Sequence, residues 1–522
     1  MNGRLLLQEW IAPKTIVPVI VLSLLALFAA FAVQMGTKVV LVMASAILAP
    51  LILFMPLVSL VYLILAVAFV IGGSLMYFAK LNAANWIPYL LCMLLAFRLI
   101  ADRLTPNAGT TTARTGLPVF LLALLGFFLC VVVSSVINEI SFGFWVLAFK
   151  NYISVWLLAF LLWKSREFAP SWPSIWNGFL WVAVLQVPVA IYQRFKSATG
   201  QLHSRLNWDA IVGTFGGDPD ASGLSGAMAL FMVFSALLAG SLWRREKLST
   251  QMFLLVLLSS VLVIGLAEVK AAIVLFPLAA FYLFRDMPAR RPKQFIAGVV
   301  LVVLLMLSLL YAYYLMYVFR DGIDRGFVDT LASKFTGVFF DAHFIDRFTG
   351  EVGRLPALLL WWSGNSSDAL SALLGHGPMA VRISSLFGPG DVLRQYTINI
   401  GMYSLPVFLW EIGLLAVGIF LMSLYLAMRA AAKLSANPGV PEEHKAVLDA
   451  SAFGIFMIAL FLPYNRDMID SAAIQSLLAL IYAYVAYWWR IVPATRPIRT
   501  AMFGSSMSAP PTLHCQSSTK FT

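Results

Sequence analysis

The chain has little charge and almost no cysteine. Only 11% of its 522 residues are charged, whereas 61% are hydrophobic and the mean hydropathy is +0.88. Soluble domains carry about 25% charged residues, so this composition excludes an ordinary soluble protein and predicts a polytopic membrane protein. The cysteines, Cys92, Cys130 and Cys515, are widely scattered. Their spacing gives no indication of a disulfide framework, and we expect neither a bound metal nor a cofactor.

Hydrophobic runs of membrane-spanning length recur along the chain. A transmembrane helix needs about 20 mostly apolar residues, and about fourteen such runs can be marked. They lie at 16–33, 38–55, 57–79, 85–101, 116–137, 143–163, 174–195, 222–242, 250–267, 270–284, 295–318, 403–428, 448–464 and 470–489. The predicted fold is therefore all-α, a polytopic transmembrane helix bundle with one long extracytoplasmic loop that contains short interfacial helices.

The distribution of Lys and Arg predicts the orientation of the bundle. Cytoplasmic connections are enriched in positive residues, and alternate connections of this chain follow that pattern. Clusters on the positive side include Arg244, Arg245 and Lys247, and Arg429, Lys433 and Lys445. Both termini are then cytoplasmic, and the expected location is a bacterial inner membrane. The net charge of +12 follows from this topology, so we expect no nucleic-acid partner.

The same patterns divide the chain into segments. Residues 1–174 are predicted N-terminal transmembrane helices, 175–318 a transmembrane core with outer cationic loops, 319–402 a long periplasmic loop, 403–489 C-terminal transmembrane helices, and 490–522 a disordered cytoplasmic tail. Segments buried in a bilayer hold few charged groups, so the long polar loop is where the function is expected.

Cationic and glycine-rich residues follow the seventh span. The sequence there holds Arg194, then His203 and Arg205, and then the segment Gly213–Gly217. Glycines let backbone amides approach an oxyanion, and Arg side chains clamp phosphate oxygens, so this loop suits a phosphorylated ligand. An ordinary Gly/Pro turn with interfacial Arg residues is the alternative.

Two Lys residues outside the positive side also stand out. Lys270 follows Glu268 in the short outer turn between the ninth and tenth spans. At the head of a short helix it suits a point charge aimed at a ligand, and an interface anchor is the alternative. Lys150, followed by Asn151, lies within the sixth span and indicates either a buried polar pathway or a snorkelling side chain.

The long loop contains a short motif and two apolar segments. The motif is Leu-Leu-Gly-His376-Gly-Pro. The segments 355–362 and 369–374 predict interfacial or re-entrant helices. Charged and aromatic residues of the loop, among them His343 and Arg347, are candidates to contact sugar rings. Packing of the loop onto the bundle is the alternative role for these side chains.

The order of these motifs resembles a known family. Gln-Arg-Phe, Arg205, Gly-Thr-Phe-Gly, Glu-Val-Lys270-Ala-Ala, the loop with His376, and Leu-Pro-Val-Phe-Leu-Trp-Glu411-Ile-Gly-Leu-Leu follow one another. This order is similar to that of the bacterial O-antigen ligase and polysaccharide polymerase superfamily, over roughly residues 175 to 430. Each motif is short and degenerate, so their order and common outer placement carry the resemblance.

The resemblance implies a chemistry. Members of this family transfer a glycan from undecaprenyl diphosphate to an acceptor hydroxyl at the outer face of the inner membrane. The implied partners are the lipid-linked glycan, an acceptor glycan, the lipid bilayer and, as a further candidate, other polysaccharide assembly proteins. The cations that hold the diphosphate in the family would fall on Lys270 and on Arg205 or Arg194. His203, His343 and Arg347 are further candidates for substrate binding.

Departures from the family pattern favour a polymerase over a ligase. Ligases carry a His-Asn pair before the span that follows the loop, whereas this chain has Asn399-Ile-Gly there. His376 is then the best candidate for the base that takes the acceptor proton, because its unperturbed pKa of about 6.5 suits neutral pH. Glu268, Asp218 and Asp220 are the reserve candidates. The alternative role for His376, which glycines flank, is that of a turn residue.

Other functional classes stay open at this point. A ligase that acts on a lipid or protein acceptor is one alternative, and a transporter or flippase for a polar or lipid-linked solute is another. Paired Gly/Pro-broken spans in two halves of a chain indicate a transporter, and no such pair is visible in the sequence. A non-catalytic subunit of an envelope assembly is the third alternative.

Overall fold

The computed structural model describes residues 55–104, 116–165, 168–198, 211–217, 223–267, 269, 271–286, 352–384, 387–396 and 398–492, and isolated positions between 292 and 350. The secondary structure of these residues is almost entirely helical. The first α-helices among them are α1 (Leu57–Ala66), α2 (Gly72–Ala79), α3 (Ile87–Leu104), α4 (Val119–Ile137), α5 (Phe142–Phe149), α6 (Leu157–Leu162), α7 (Trp172–Ala198), α8 (Ser225–Arg244), α9 (Thr250–Ala267) and α10 (Ala272–Leu283).

The later part of the chain holds two short loop helices and the C-terminal helices. They are α11 (Arg354–Asn365), α12 (Ala369–Leu374), α13 (Ser404–Ser435), α14 (Glu442–Phe461), α15 (Asp467–Asp470) and α16 (Ala472–Ile491). Between α12 and α13, β1 (Ile383–Ser384) pairs with β2 (Gly388–Pro389) in an antiparallel hairpin. The loop helices coincide with the two apolar segments predicted from the sequence.

Eight helical segments within the described residues are long and apolar enough to cross a membrane. They are Leu57–Ala79, Val119–Ile137, Ala169–Lys196, Ser225–Arg244, Thr250–Ala267, Ser404–Ser435, Glu442–Phe461 and Ala472–Ile491. Each coincides with a predicted span, so the prediction of an all-helical membrane protein is confirmed. The run at 16–33 and residues 38–54 of the next run lie outside the described residues, and the total of about fourteen spans stays a prediction.

The sixth predicted span, 143–163, is an interrupted helix. α5 ends at Phe149, a π-helical segment follows at Lys150–Ser154, and α6 begins at Leu157. A second π-helical segment, Val67–Ile71, joins α1 to α2. π-Helical turns widen the helix locally, and they occur frequently at functional sites.

The most enclosed helix is α8. Every residue from Ser225 to Leu242 is buried. The ring of Phe231 on α8 packs against those of Phe69 and Phe215, each with centroids 5.3 Å away. A helix that is apolar all round is expected to be buried on all sides, whereas the peripheral helices expose apolar side chains.

Several connections meet at one end of the bundle. Asn138, just after α4, donates from Nδ2 to the carbonyl of Gly375 in the long loop, and the amide of Ser404 donates to the carbonyl of Asn465. The Tyr89 hydroxyl, at the start of α3, donates to the Asp470 carbonyl. We call this the loop end. The opposite end carries the clusters of Lys and Arg that predict the cytoplasmic side.

Candidate functional site: a broken helix and its buried charges

A break in α13 lies at the centre of the loop end. Gly413 has φ 77° and ψ 175°, a conformation available essentially only to glycine. A Cβ at this position would lie 2.2 Å from the carbonyl oxygen of Leu373 and 2.5 Å from the amide nitrogen of Gly375. The sequence therefore uses glycine here because the backbone of the long loop packs directly against the broken helix.

Groups outside the helix bind the carbonyls beside this break. The Trp410 carbonyl accepts a hydrogen bond from the His376 amide at 2.8 Å, and the Glu411 carbonyl accepts one from the Ser134 hydroxyl at 3.0 Å. Irregular backbone at membrane depth is tolerated only where the protein satisfies its polar groups. The His376 segment and α4 do so here.

A buried ion pair fixes the loop to the broken helix. Arg382, which is 4% exposed, donates from Nε and Nη2 to the two carboxylate oxygens of fully buried Glu411, each at 2.8 Å. The Tyr152 hydroxyl donates to the same carboxylate at 2.6 Å. Burial alone would lower the pKa of Arg382, but the charge and hydrogen bonds of Glu411, together with nearby Tyr152 and Asp470, outweigh burial and raise that pKa. The arrangement is bidentate, so it fixes orientation as well as distance.

A second polar group of the loop end surrounds Asp470. Its carboxylate binds Arg466 Nε, and its other oxygen lies 3.9 Å from Arg382 Nη1. Arg466 also donates from Nη1 to the Gly401 carbonyl at 2.8 Å. The side chains of Arg466 and Asp470 keep 33% and 30% of their surface exposed, so the buried charges connect to the surface through this pair.

Lys150 is buried beside these groups. Its Nζ lies 4.9 Å from the ring centroid of Trp86 and 4.5 Å from that of Tyr89, and 3.5 Å from Asn151 Oδ1. Among the described residues, no carboxylate forms a salt bridge with Lys150. The side chain is only 7% exposed. The structure thus places the Lys that the sequence singled out at the loop end, within the π-helical segment.

The ring of His376 is held in one orientation. Asn365 donates from Nδ2 to the Trp361 carbonyl at 2.9 Å, which directs its Oδ1 towards His376 Nε2, 2.8 Å away. Nε2 must therefore carry the proton and donate, and Nδ1 keeps its lone pair. Burial lowers the pKa of His376, and the charge of Asp368 opposes this shift in part. The geometry favours a neutral imidazole whose Nδ1 can accept a proton.

The Gly-Thr-Phe-Gly segment has a role other than the one expected. Gln193 Oε1 accepts from the amides of Val212 and Gly213, and Gln186 Oε1 accepts from the amide of Thr214. The Phe215 amide donates to the Val212 carbonyl. These four amides are already bonded, so the expectation that they bind an oxyanion is wrong for them. Gly216 instead allows close packing against Gly73 of α2.

Most of the other predicted site residues lie outside the described residues. These are Arg205, Lys270, Glu268, His203, His343 and Arg347, together with Asp218 and Asp220. Arg194 is half-buried near the end of α7 and engaged with other groups. Asn399 donates from its amide to the Gly350 carbonyl, and its Oδ1 accepts from the Gly401 amide. The predicted clamp of Arg205 and Lys270 stays a prediction.

Sequence analysis missed the Arg382–Glu411 pair. Glu411 appears in it only as part of a motif, and Arg382 does not appear. The available signal was an ionisable residue of each sign within an apolar stretch, since such residues are expected to pair when they are buried. Of the predicted residues, His376 lies close to this pair, because its amide binds the carbonyl of the residue before Glu411.

Neither protein-family models nor curated protein sequences give a match to this chain. The described residues contain no group of three or more His, Cys, Asp or Glu side chains arranged to hold a metal ion.

Proposed function

We propose that this protein is an inner-membrane polysaccharide polymerase. It transfers a glycan from undecaprenyl diphosphate to a sugar hydroxyl of an acceptor glycan on the periplasmic face. The proposal includes about fourteen spans, both termini in the cytoplasm and the long loop outside. It combines the order of the family-like motifs with the buried charges and the fixed imidazole at the loop end.

The observation that carries the proposal is the state of His376. Its Nε2 is engaged by Asn365, and burial keeps its pKa low, so Nδ1 is suited to remove a proton at neutral pH. In the proposed reaction the acceptor hydroxyl loses its proton to Nδ1, and its oxygen forms a bond to the anomeric carbon. The bond from that carbon to the phosphate oxygen breaks, and undecaprenyl diphosphate leaves with an additional negative charge.

The leaving group requires fixed positive charge. Cations placed where negative charge develops lower the barrier of such a step. Arg205 and Lys270 are the cations that the resemblance implies, and Arg194 is the alternative to Arg205. Arg382 is committed to Glu411 by two hydrogen bonds, so its role in this proposal is to hold the loop that carries His376.

Turnover of a lipid-linked glycan by the purified protein tests the proposal. The full chain in lipid nanodiscs, given an undecaprenyl-diphosphate oligosaccharide and no transmembrane gradient, should produce longer lipid-linked chains. His376→Gln should lower the rate at least ~100-fold, since a general base typically contributes 10²–10⁴-fold. His444 binds the Tyr484 hydroxyl near the opposite end of the bundle, so His444→Gln is the matched control and should keep its activity.

The acceptor distinguishes a polymerase from a ligase. A polymerase lengthens the lipid-linked glycan itself, whereas a ligase requires a separate lipid or protein acceptor. The absence of the ligase-type His-Asn pair near Asn399 favours the polymerase. Product formed only after a foreign acceptor is added would support the ligase alternative instead.

The broken helix supports a second candidate function. Transporters commonly build their central sites from discontinuous transmembrane helices, and α13 is discontinuous at Gly413. A transporter or flippase would move its solute across a proteoliposome membrane without changing it. Solute movement with no chain elongation would therefore favour this alternative, and elongation in nanodiscs, which separate no compartments, would exclude it as the sole activity.

A further inference from the structure

Lys150 is buried at the loop end and forms no salt bridge with a described carboxylate. The charged side chains near it include the cations Arg382 and Arg466 and the carboxylates Glu411, Asp467 and Asp470. Glu411 is fully used by Arg382 and Tyr152, and Asp470 binds Arg466. A buried charge without a salt-bridge partner is unfavourable, so Lys150 favours the approach of an anion.

The ammonium of Lys150 has unused donor capacity. It carries three N–H donors, and within the described residues its acceptor is Asn151 Oδ1 at the long distance of 3.5 Å. The rings of Trp86 and Tyr89 attract the cation but accept no conventional hydrogen bond from it at these distances. Two donors therefore remain for the oxygens of a ligand.

The ammonium also lies beside the beginning of α3, at the loop end of the bundle. Trp86 and Tyr89 flank the beginning of α3, so Lys150 Nζ lies at the height at which this helix starts. The side chain thus reaches from a π-helical segment inside the bundle towards its loop end. A long apolar stem with the charge directed to the interface is the usual behaviour of a snorkelling Lys.

We propose that Lys150 binds an oxygen of a phosphate group of the lipid-linked donor. This inference rests on the proposed function, and it adds to the site a cation that the family-like motifs do not include. Lys binds phosphate as a point charge, so it requires proximity more than a fixed fork geometry. The neighbouring pair Arg466 and Asp470 is partly exposed and offers the anion a route from the surface.

Binding of phosphates to the full chain in nanodiscs tests the inference. The probes are undecaprenyl diphosphate, inorganic pyrophosphate and, as an anion that carries a carboxylate and no phosphate, glucuronate. Each is titrated while the thermal unfolding midpoint is followed, because a ligand that binds the folded state raises that midpoint. Lys150→Met should weaken diphosphate binding at least ~10-fold, and Lys150→Arg, which keeps the charge, should recover part of the affinity.

Lys164 provides a matched control at the opposite end of the bundle. Its Nζ also lies over an aromatic ring, that of Trp163, at 4.8 Å. Lys164→Met should therefore bind diphosphate like the unchanged protein. If Lys150→Met does not fold, Lys150→Gln keeps a polar end of similar length, and the same loss of affinity is expected in it.

The outcomes separate this inference from the proposed function. Loss of both pyrophosphate and lipid diphosphate binding in Lys150→Met supports recognition of the phosphate itself, and loss of the lipid form alone supports recognition of the lipid-linked ligand. Unchanged diphosphate binding in Lys150→Met overturns the inference. A variant that loses only glucuronate binding overturns it as well. His376→Gln should abolish glycan transfer and keep diphosphate binding. Binding that depends on Lys150 in a protein without transfer activity would contradict the proposed function and not this assignment.

Discussion

The two ends of the bundle carry charge in different ways. At the loop end, Arg382 and Glu411 are 4% and 0% exposed and share two hydrogen bonds. At the opposite end, Arg245 and Glu442 are 27% and 52% exposed, and Lys445 shares the same carboxylate. Exposed pairs contribute little to stability because water and salt screen them, whereas a buried pair cannot lose one partner without large penalty. The exposed charges belong to the Lys and Arg pattern that predicts the orientation of the bundle. The buried pair instead holds the loop against α13.

Removing the carboxylate at each end tests this comparison most directly. Glu411→Gln removes the two-hydrogen-bond partner of buried Arg382 and leaves it only the more distant Asp470 carboxylate, 3.9 Å from Nη1. Breaking a buried pair in this way typically destabilises a protein by about 3–5 kcal/mol. Glu442→Gln should change stability by about 0–1 kcal/mol, the range for exposed pairs. Unfolding in detergent by urea, followed by tryptophan fluorescence, measures both.

Replacing both members of the buried pair sharpens the result. Arg382→Met combined with Glu411→Met should be considerably more stable than Glu411→Gln alone, because apolar residues of similar volume often substitute for a buried pair. The same double variant should still lose transfer if the pair positions the His376 segment. Equal decreases in the free energy of unfolding for Glu411→Gln and Glu442→Gln would contradict the distinction between the two ends.

The cationic clamp is the next largest expected effect. Replacing Arg205 or Lys270 by Ala should lower transfer at least ~100-fold, the scale for loss of one group that stabilises a transition state. Expression and unfolding should be unchanged. Arg429, on the predicted cytoplasmic side, supplies the control, and Arg429→Ala should keep full activity. Wild-type rates in both clamp variants would remove the two residues from the proposed site.

Sequence analysis found the spans and missed the contacts between them. A run of 20 apolar residues is a local property, so α4, α9 and α16 could be predicted from hydropathy alone. The pairing of Arg382 with Glu411 depends on how the loop returns to α13, and no local pattern encodes it. For the Gly-Thr-Phe-Gly segment the sequence left open both an anion site and an ordinary turn, because the amides that Gln186 and Gln193 bind cannot be seen in a string of residue types.

The break in α13 gives a smaller and more local effect. Gly413→Ala forces a Cβ into the backbone of the long loop and into a strained conformation, which typically costs of order 1–3 kcal/mol. Gly418 on the same helix has open space beside it, with nothing within 4 Å of the position that a Cβ would take. Gly418→Ala should therefore stabilise the protein by about 0.5–1 kcal/mol, since Ala is favoured within a helix. Similar destabilisation by both changes would contradict the account of the break.

The smallest expected effect is a shift in the pH dependence of transfer. A general base is active when unprotonated, and burial places the pKa of His376 below its ordinary 6.5, so the rate should fall only as the pH drops below that value. Asp368 raises this pKa by its charge and caps α12 by accepting from the amides of Leu370 and Ser371. Asp368→Asn keeps the cap and removes the charge, so the acid limb should move to lower pH with little change in the maximal rate.

Asp391→Asn, which alters an exposed carboxylate paired with Arg394, is the control and should leave the acid limb in place. An acid limb that Asp368→Asn does not move, or moves to higher pH, would indicate that the titrating group is not His376, and the outer carboxylate Glu268 would be tested next through its amide variant.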